Sequence, residues 1–336
     1  MEFWEQLPIL PADELKTWIG ELGKTRVQGV FAPQTFGTPF SLLSSVATVS
    51  DRLKLGAGIA LAFVRSPLET ACSALEVDKL SEGRLLLGLG SGARDHIEKR
   101  YGSHFGKPIG HMRELVTLVK AIIRDAHTGE LGKFEGDYYQ LDLTGFRILF
   151  EPARREIPIY LPGIFEQSCA LAGEVAAGLL GHPLWTEHWT RQVVMPAVEK
   201  GLAKSGRERG QFSVTISPFV MINDNHDQAI EDARATVAFY SQTPAYNRYF
   251  DELGFDGNAR AIQAASAKGD FQAMVANCPD AMVDEIVVIG RDIEVKKKLD
   301  ARATIASCCN PKVAHVGLEP RKLDDYRRNI ERLFYH

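Results

Sequence analysis

The residues whose types and spacing could do chemistry cluster in residues 81–96, which read SEGRLLLGLGSGARDH. An apolar run, Leu85-Leu86-Leu87, leads into Gly88-Leu89-Gly90-Ser91-Gly92 and then into Arg94, Asp95 and His96. A buried strand that delivers a glycine loop to the surface, with charged groups just beyond it, is how α/β proteins build a ligand site. The loop does not fit the dinucleotide fingerprint, which needs a third glycine at a set spacing, and it lacks the Gly-Lys-Ser/Thr of a P-loop. The sequence has no GxSxG, no HExxH or other metal-ligand spacing, and no carboxylate pair suited to glycoside hydrolysis. Aromatic and glycine-rich stretches with few proton-transfer groups suit a planar redox cofactor, which brings its own chemistry.

The elements that must position these residues alternate. Eight strands are expected, at 2–7, 27–32, 53–60, 85–87 ahead of the glycine loop, 157–161, 177–182, 212–222 and 313–318. Helical stripes lie between them, such as Met112, Leu115, Val116, Val119, Ile122 and Ile123 at three-and-four spacing. Strands alternating with helices to the end of the chain predict a (β/α)8 TIM barrel, with insertions at about 127–156 and 243–283. A doubly wound sheet is the competitor, and the missing dinucleotide fingerprint counts against it. No repeat or low-complexity linker divides residues 1–336, so a single domain is expected. In such a barrel, function sits where strands end. Those ends are Gln34-Thr35-Phe36, Gly58-Ile59 followed by Phe63 and Arg65, the GLGSG loop, Leu161 to Ile164, and His182 to Thr186. Two glycine-containing loops open helices, whose N-terminal amides can hold a phosphate.

Composition narrows the class. The 336 residues are 45% hydrophobic and 24% charged, with a net charge of −4 and a pI near 6.2. No basic surplus exists to neutralise phosphates, so neither nucleic acid nor an anionic membrane is expected as a partner. No stretch approaches the roughly 20 apolar residues of a membrane span, and no signal peptide opens the chain. The five cysteines form no CxxC pattern and read as reduced, buried residues of a cytoplasmic protein.

The order of motifs resembles the bacterial-luciferase-like flavin and deazaflavin enzymes. The resemblance rests on LKLGAGIALAFVRSPLETACSALEVDKLSEGRLLLGLGSGARDHIEKRYG, then FEGDYYQ, then IPIYLPG. Within that superfamily the chain is most similar to coenzyme F420-dependent oxidoreductases. The stretches in point are Ala62 to Pro67, Gly88 to Arg100, Gly181-His182-Pro183 and Gln242-Thr243-Pro244-Ala245-Tyr246. The resemblance implies hydride transfer between C5 of the deazaflavin F420 and a small organic substrate, in a homodimer. The alternatives are an FMN-dependent monooxygenase of the same fold, and a flavin-binding barrel without catalysis.

Residue by residue, the resemblance implies a non-proline cis peptide at Gly58-Ile59 behind the ring, next to Ala60. It implies ring contacts near Gly90, Ser91 and His96, and phosphate contacts from Leu161, Gly163 and Ile164. His182 and Thr186 are candidates near the same phosphate or tail. Phe36, Phe63, Arg65 and Trp185 are candidates for the substrate pocket, and Gln34 and His96 for catalysis. No metal is implied. Many deazaflavin dehydrogenases carry His or Glu where this chain has Gln34, and an acid where it has Ala93. Gln34 can hold an oxygen but cannot take a proton at neutral pH. Any required proton is left to His96, Asp95, His104, His182 or solvent.

Overall fold

The computed structural model describes residues 1–34 and 37–336. Thr35 and Phe36, the latter a candidate pocket residue, lie outside the described residues. The chain divides into two compact units, residues 1–182 with 189–215, and residues 183–188 with 216–336.

The first unit begins with β1 (Glu2–Gln6), β2 (Val27–Ala32) and β3 (Lys54–Ala57). The short β4 (Ala60–Leu61) precedes the fully buried β5 (Leu85–Gly90). A hairpin of β6 (Lys133–Glu135) and β7 (Gln140–Asp142) comes next. Then follow β8 (Ile159–Gly163), β9 (Gly178–Gly181) and β10 (Ser213–Ile216), whose last residue is assigned to the second unit. Pairing is parallel and sequential from β1 through β2, β3, β5, β8 and β9 to β10, and β4 lies beside β5. Parallel strands are covered on both faces, which is why runs such as VQGVFA and LLLGLG are apolar rather than alternating.

The second unit holds the parallel pair β11 (Val220–Ile222) and β12 (Val288–Gly290), and β13 (Cys308–Cys309). The fold is a (β/α)8 barrel.

Local chemistry explains the helix starts that set the loops. Ser66 caps the helix Pro67–Leu80 by accepting from the Glu69 N–H at 3.0 Å, with a proline at the first helical position. Glycine is required where strands close tightly: a Cβ on Gly88 would sit 1.9 Å from the Ala57 carbonyl oxygen.

Three strand expectations need correction. The run 53–60 is two strands, β3 and β4, separated at Gly58-Ile59. The run 212–222 is also two, β10 and β11, because Pro218 has no N–H to give a ladder. The expected final strand 313–318 is not one. Val313 and Ala314 are buried by core packing, Gly317 turns the chain at φ 73°, and the strand lies earlier, at Cys308–Cys309. The stretch 285–289 holds the end of the helix Asp280–Ile286 and the start of β12 at Val288. The insertion 127–156 contains the β6–β7 hairpin, and 243–283 is helical as expected.

Candidate active site

Five strand ends of the first unit carry sequence candidates, and those of β3, β5 and β8 meet. The Gly58-Ile59 peptide is cis, and its Ile59 carbonyl accepts from the Gln34 N–H at 3.2 Å. Beyond it, Ala60 pairs with Leu89 and Leu61 with Gly90, so the bulged end of β3 returns beside β5. A Cβ on Gly90 would fall 2.5 Å from Ile59 Cδ1 and 3.0 Å from Pro162 Cγ. The ends of β3, β5 and β8 therefore converge at Gly90, where any larger residue would have to push the Ile59 side chain aside.

Gln34 leaves β2 and turns its side chain toward the same place. Its Oε1 accepts from the Leu61 N–H at 2.8 Å and from Arg65 Nη2 at 3.0 Å. Arg65, expected in the substrate pocket, also donates to the Leu61 carbonyl at 3.2 Å and stands 3.3 Å from Glu69. Its guanidinium lies 5.4 Å from the centre of the Phe40 ring. Burial lowers the Arg65 pKa, and Glu69 opposes that shift.

At the end of β8, Leu161 is buried and Gly163 pairs with Gly181. A Cβ on Gly163 would come 2.9 Å from Cys169 Sγ, so glycine lets the strand pass under the next helix. That helix, Glu166–Val175, has no side-chain cap, and its start is a place for an anion. Trp189 fixes the approach: its indole N–H donates to the Ile164 carbonyl at 2.8 Å, and its ring meets Phe165 edge-on at 5.9 Å. Burial pushes the Cys169 thiol up to about 12, which makes it packing rather than a nucleophile.

The charged residues after the glycine loop have separate fates. Arg94 pairs with Glu98 at 2.7 Å, donates to the Gly106 carbonyl at 2.8 Å and lies over Phe105. Asp95 pairs with Lys99 at 2.7 Å in solvent. Ser91 donates to the Gly92 carbonyl at 3.2 Å. His96, half-buried in the helix Arg94–Arg100, makes no hydrogen bond among the described residues and touches Tyr101 edge-on at 5.3 Å. His182 is half-buried beyond β9. Trp185 and Thr186 are both buried in the second unit, where the Tyr249 hydroxyl donates to the neighbouring Leu184 carbonyl.

Phe63 is buried in an aromatic stack that sequence reasoning missed. Its ring lies 3.9 Å from that of His111 at an interplanar angle of 2°, and Tyr138 covers the other face at 4.5 Å. The Phe105 carbonyl, 2.9 Å from His111 Nδ1, can only accept, so Nδ1 carries the proton and Nε2 accepts from the Tyr139 hydroxyl at 2.8 Å. Burial lowers the His111 pKa and raises that of Tyr139. The adjacent tyrosines were a visible signal, whereas their partner lies 27 and 28 residues away and was not.

The chain belongs to the luciferase-like monooxygenase family, which it matches over residues 22–306. An uncharacterized protein of Mycobacterium tuberculosis is 33% identical over 80% of this chain and 80% of its own length. A putative coenzyme F420-dependent oxidoreductase of the same organism is 25% identical over 80% of this chain and 82% of its own. Among solved structures, the coenzyme F420-dependent tetrahydromethanopterin reductase of Methanopyrus kandleri superposes with a TM-score of 0.80. It is 21% identical, and the match covers 99% of this chain and 97% of that one. No helix among the described residues is long and apolar enough to cross a membrane.

Proposed function

We propose that the protein is a coenzyme F420-dependent oxidoreductase acting on a small organic substrate. The observation that carries the reading is the meeting of β3, β5 and β8 at Gly90, with an uncapped helix start beyond Gly163. The relative named as a putative coenzyme F420-dependent oxidoreductase supports the deazaflavin over FMN.

The residues fit such a cofactor. Side chains are kept off the backbone at Gly90 and Gly163, where a Cβ would meet its neighbours, and the start of the helix Glu166–Val175 offers amides to a phosphate. When bound, the deazaflavin supplies the carbon that accepts or gives the hydride. Gly163 and Ile164 would hold the phosphate, with His182 nearby as a further donor. Ile59 and Ala60 would back the ring, and Gly90 and Ser91 would border it. Gln34 would donate a hydrogen bond without moving a proton, and His96 would stand at the ring edge.

Parallel titrations with F420 and FMN, read by intrinsic tryptophan fluorescence, test this. Saturable F420 binding is expected, with FMN at least about tenfold weaker, a difference of about 1.4 kcal/mol. The reverse preference would make the chain an FMN-dependent monooxygenase, and binding of neither would remove the proposed function.

A further inference from the structure

We propose that Arg65 is a positioning residue: it locks the Gln34 amide so that a molecule bound at the ends of β2 and β3 meets an N–H donor there. The proposal rests on the reading that the cofactor ring occupies those strand ends. It commits the site to a cofactor ring that presents a hydrogen-bond acceptor at that point, such as a ring carbonyl.

The argument begins with which atom of the amide faces inward. The Leu61 N–H and Arg65 Nη2 both donate, and both reach one terminal atom of Gln34. That atom has to be oxygen, because a flipped amide would set its NH2 against two other donors. The Gln34 NH2 is thereby turned the other way, and no described residue accepts from it. Leu61 alone would hold the oxygen by one bond, and Arg65 supplies the second with a charged donor.

Arg65 is itself held firmly enough to do this. Its side chain is 12% exposed, and Leu61, Glu69 and Phe40 surround the guanidinium. Its Nε is buried and makes no hydrogen bond, since the Glu69 carboxylate at 3.3 Å lies outside hydrogen-bond geometry. The guanidinium is therefore engaged within the protein, and its function is exerted through Gln34. The Gln34 amide stays neutral across the working pH range, so it selects for an acceptor and transfers no proton.

The test compares wild type with Gln34→Ala, Arg65→Met, the double variant and Arg65→Lys, each checked for folding by thermal unfolding. In cofactor titrations Gln34→Ala and Arg65→Met should each weaken binding by about tenfold, as expected for one lost hydrogen bond. The double variant should be no weaker than the worse single one, because both changes remove the same contact. Arg65→Lys should recover part of the loss. Additive losses, or an Arg65→Met protein that binds like wild type, would overturn the proposal.

A second readout needs no cofactor. In protein labelled with 15N-glutamine, the Gln34 side-chain NH2 pair is identified by its disappearance in Gln34→Ala. Arg65→Met should move that pair toward the position of solvent-exposed glutamines, with Arg65→Lys in between. An unmoved pair would overturn the proposal. If wild type binds neither F420 nor FMN, the functional reading falls and this measurement still decides the role of Arg65.

Discussion

His111 shows how one side chain couples a helix to a distant hairpin. Its ring is sandwiched between Phe63 and Tyr138, and its two nitrogens are engaged by Phe105 and Tyr139. Burial is the main cause lowering its pKa, and nearby His104 adds to it, while the Phe105 carbonyl and Glu114 oppose it. The unfolded chain therefore binds the proton more readily. Stability is full above the unfolded pKa of about 6.5 and falls as pH drops from there toward the lower folded value. Urea midpoints measured from about pH 7.5 down to about pH 5 should decline less steeply in His111→Phe than in wild type. Equal slopes would show that His111 does not contribute to the decline. At this scale the sequence revealed residue types better than partners. Gln34, Arg65 and His96 were all visible as candidates. The engagement of Arg65 with Gln34, 31 residues away, and of Arg94 with Gly106 depends on loop paths that no local pattern encodes.

Elements were legible where apolar runs are long and bounded by turns, and illegible where a strand breaks without losing its apolar character. Val27–Ala32 and the start of Leu85–Gly90 read correctly because both faces of a parallel strand are buried, whereas the glycines Gly88 and Gly90 read as loop and belong to the strand. The breaks at Gly58-Ile59 and Pro218 interrupt apolar stretches that look continuous, and the two-residue strand Cys308–Cys309 is too short to carry a period. The β6–β7 hairpin was hidden for another reason: a distant carboxylate holds its turn. Glu114 accepts from the Asp137 N–H at 2.9 Å, the Tyr138 N–H at 3.0 Å and the Tyr139 N–H at 2.7 Å. Gly136 makes room for it, since a Cβ there would meet Glu114 Oε1 at 2.2 Å. Glu114→Gln turns an NH2 group toward these donors and should cost about 1–3 kcal/mol, as for hydrogen bonds lost from a charged group. Gly136→Ala should displace the same carboxylate. Chemical unfolding gives the cost, and faster exchange of the 133–142 amides in both variants would locate it. Unchanged exchange would mean that other contacts hold the hairpin.

For the whole molecule, the alternation of strands and helices was enough to predict the (β/α)8 barrel, because a parallel sheet requires crossovers and the chain repeats them evenly. The division into two compact units was not foreseen, since no linker or composition shift marks residue 182 or 215. That division gives the functional reading a spatial test. The ends of β3, β5 and β8 all belong to the first unit. A ligand bound there stabilises the folded state by about 2.7 kcal/mol at a hundredfold excess over Kd. It slows exchange most at amides whose opening would disrupt the site. With saturating F420, hydrogen exchange should slow together in peptides covering 58–65, 88–96 and 161–168. The outer helix Ala12–Leu22, which carries no candidate site residue, serves as the internal reference. Slowing of the first three segments beyond that reference places the cofactor at the strand ends. Binding by titration with no such slowing would remove the cofactor from β3, β5 and β8, and with it the roles proposed for Gly90, Gly163 and Ile164.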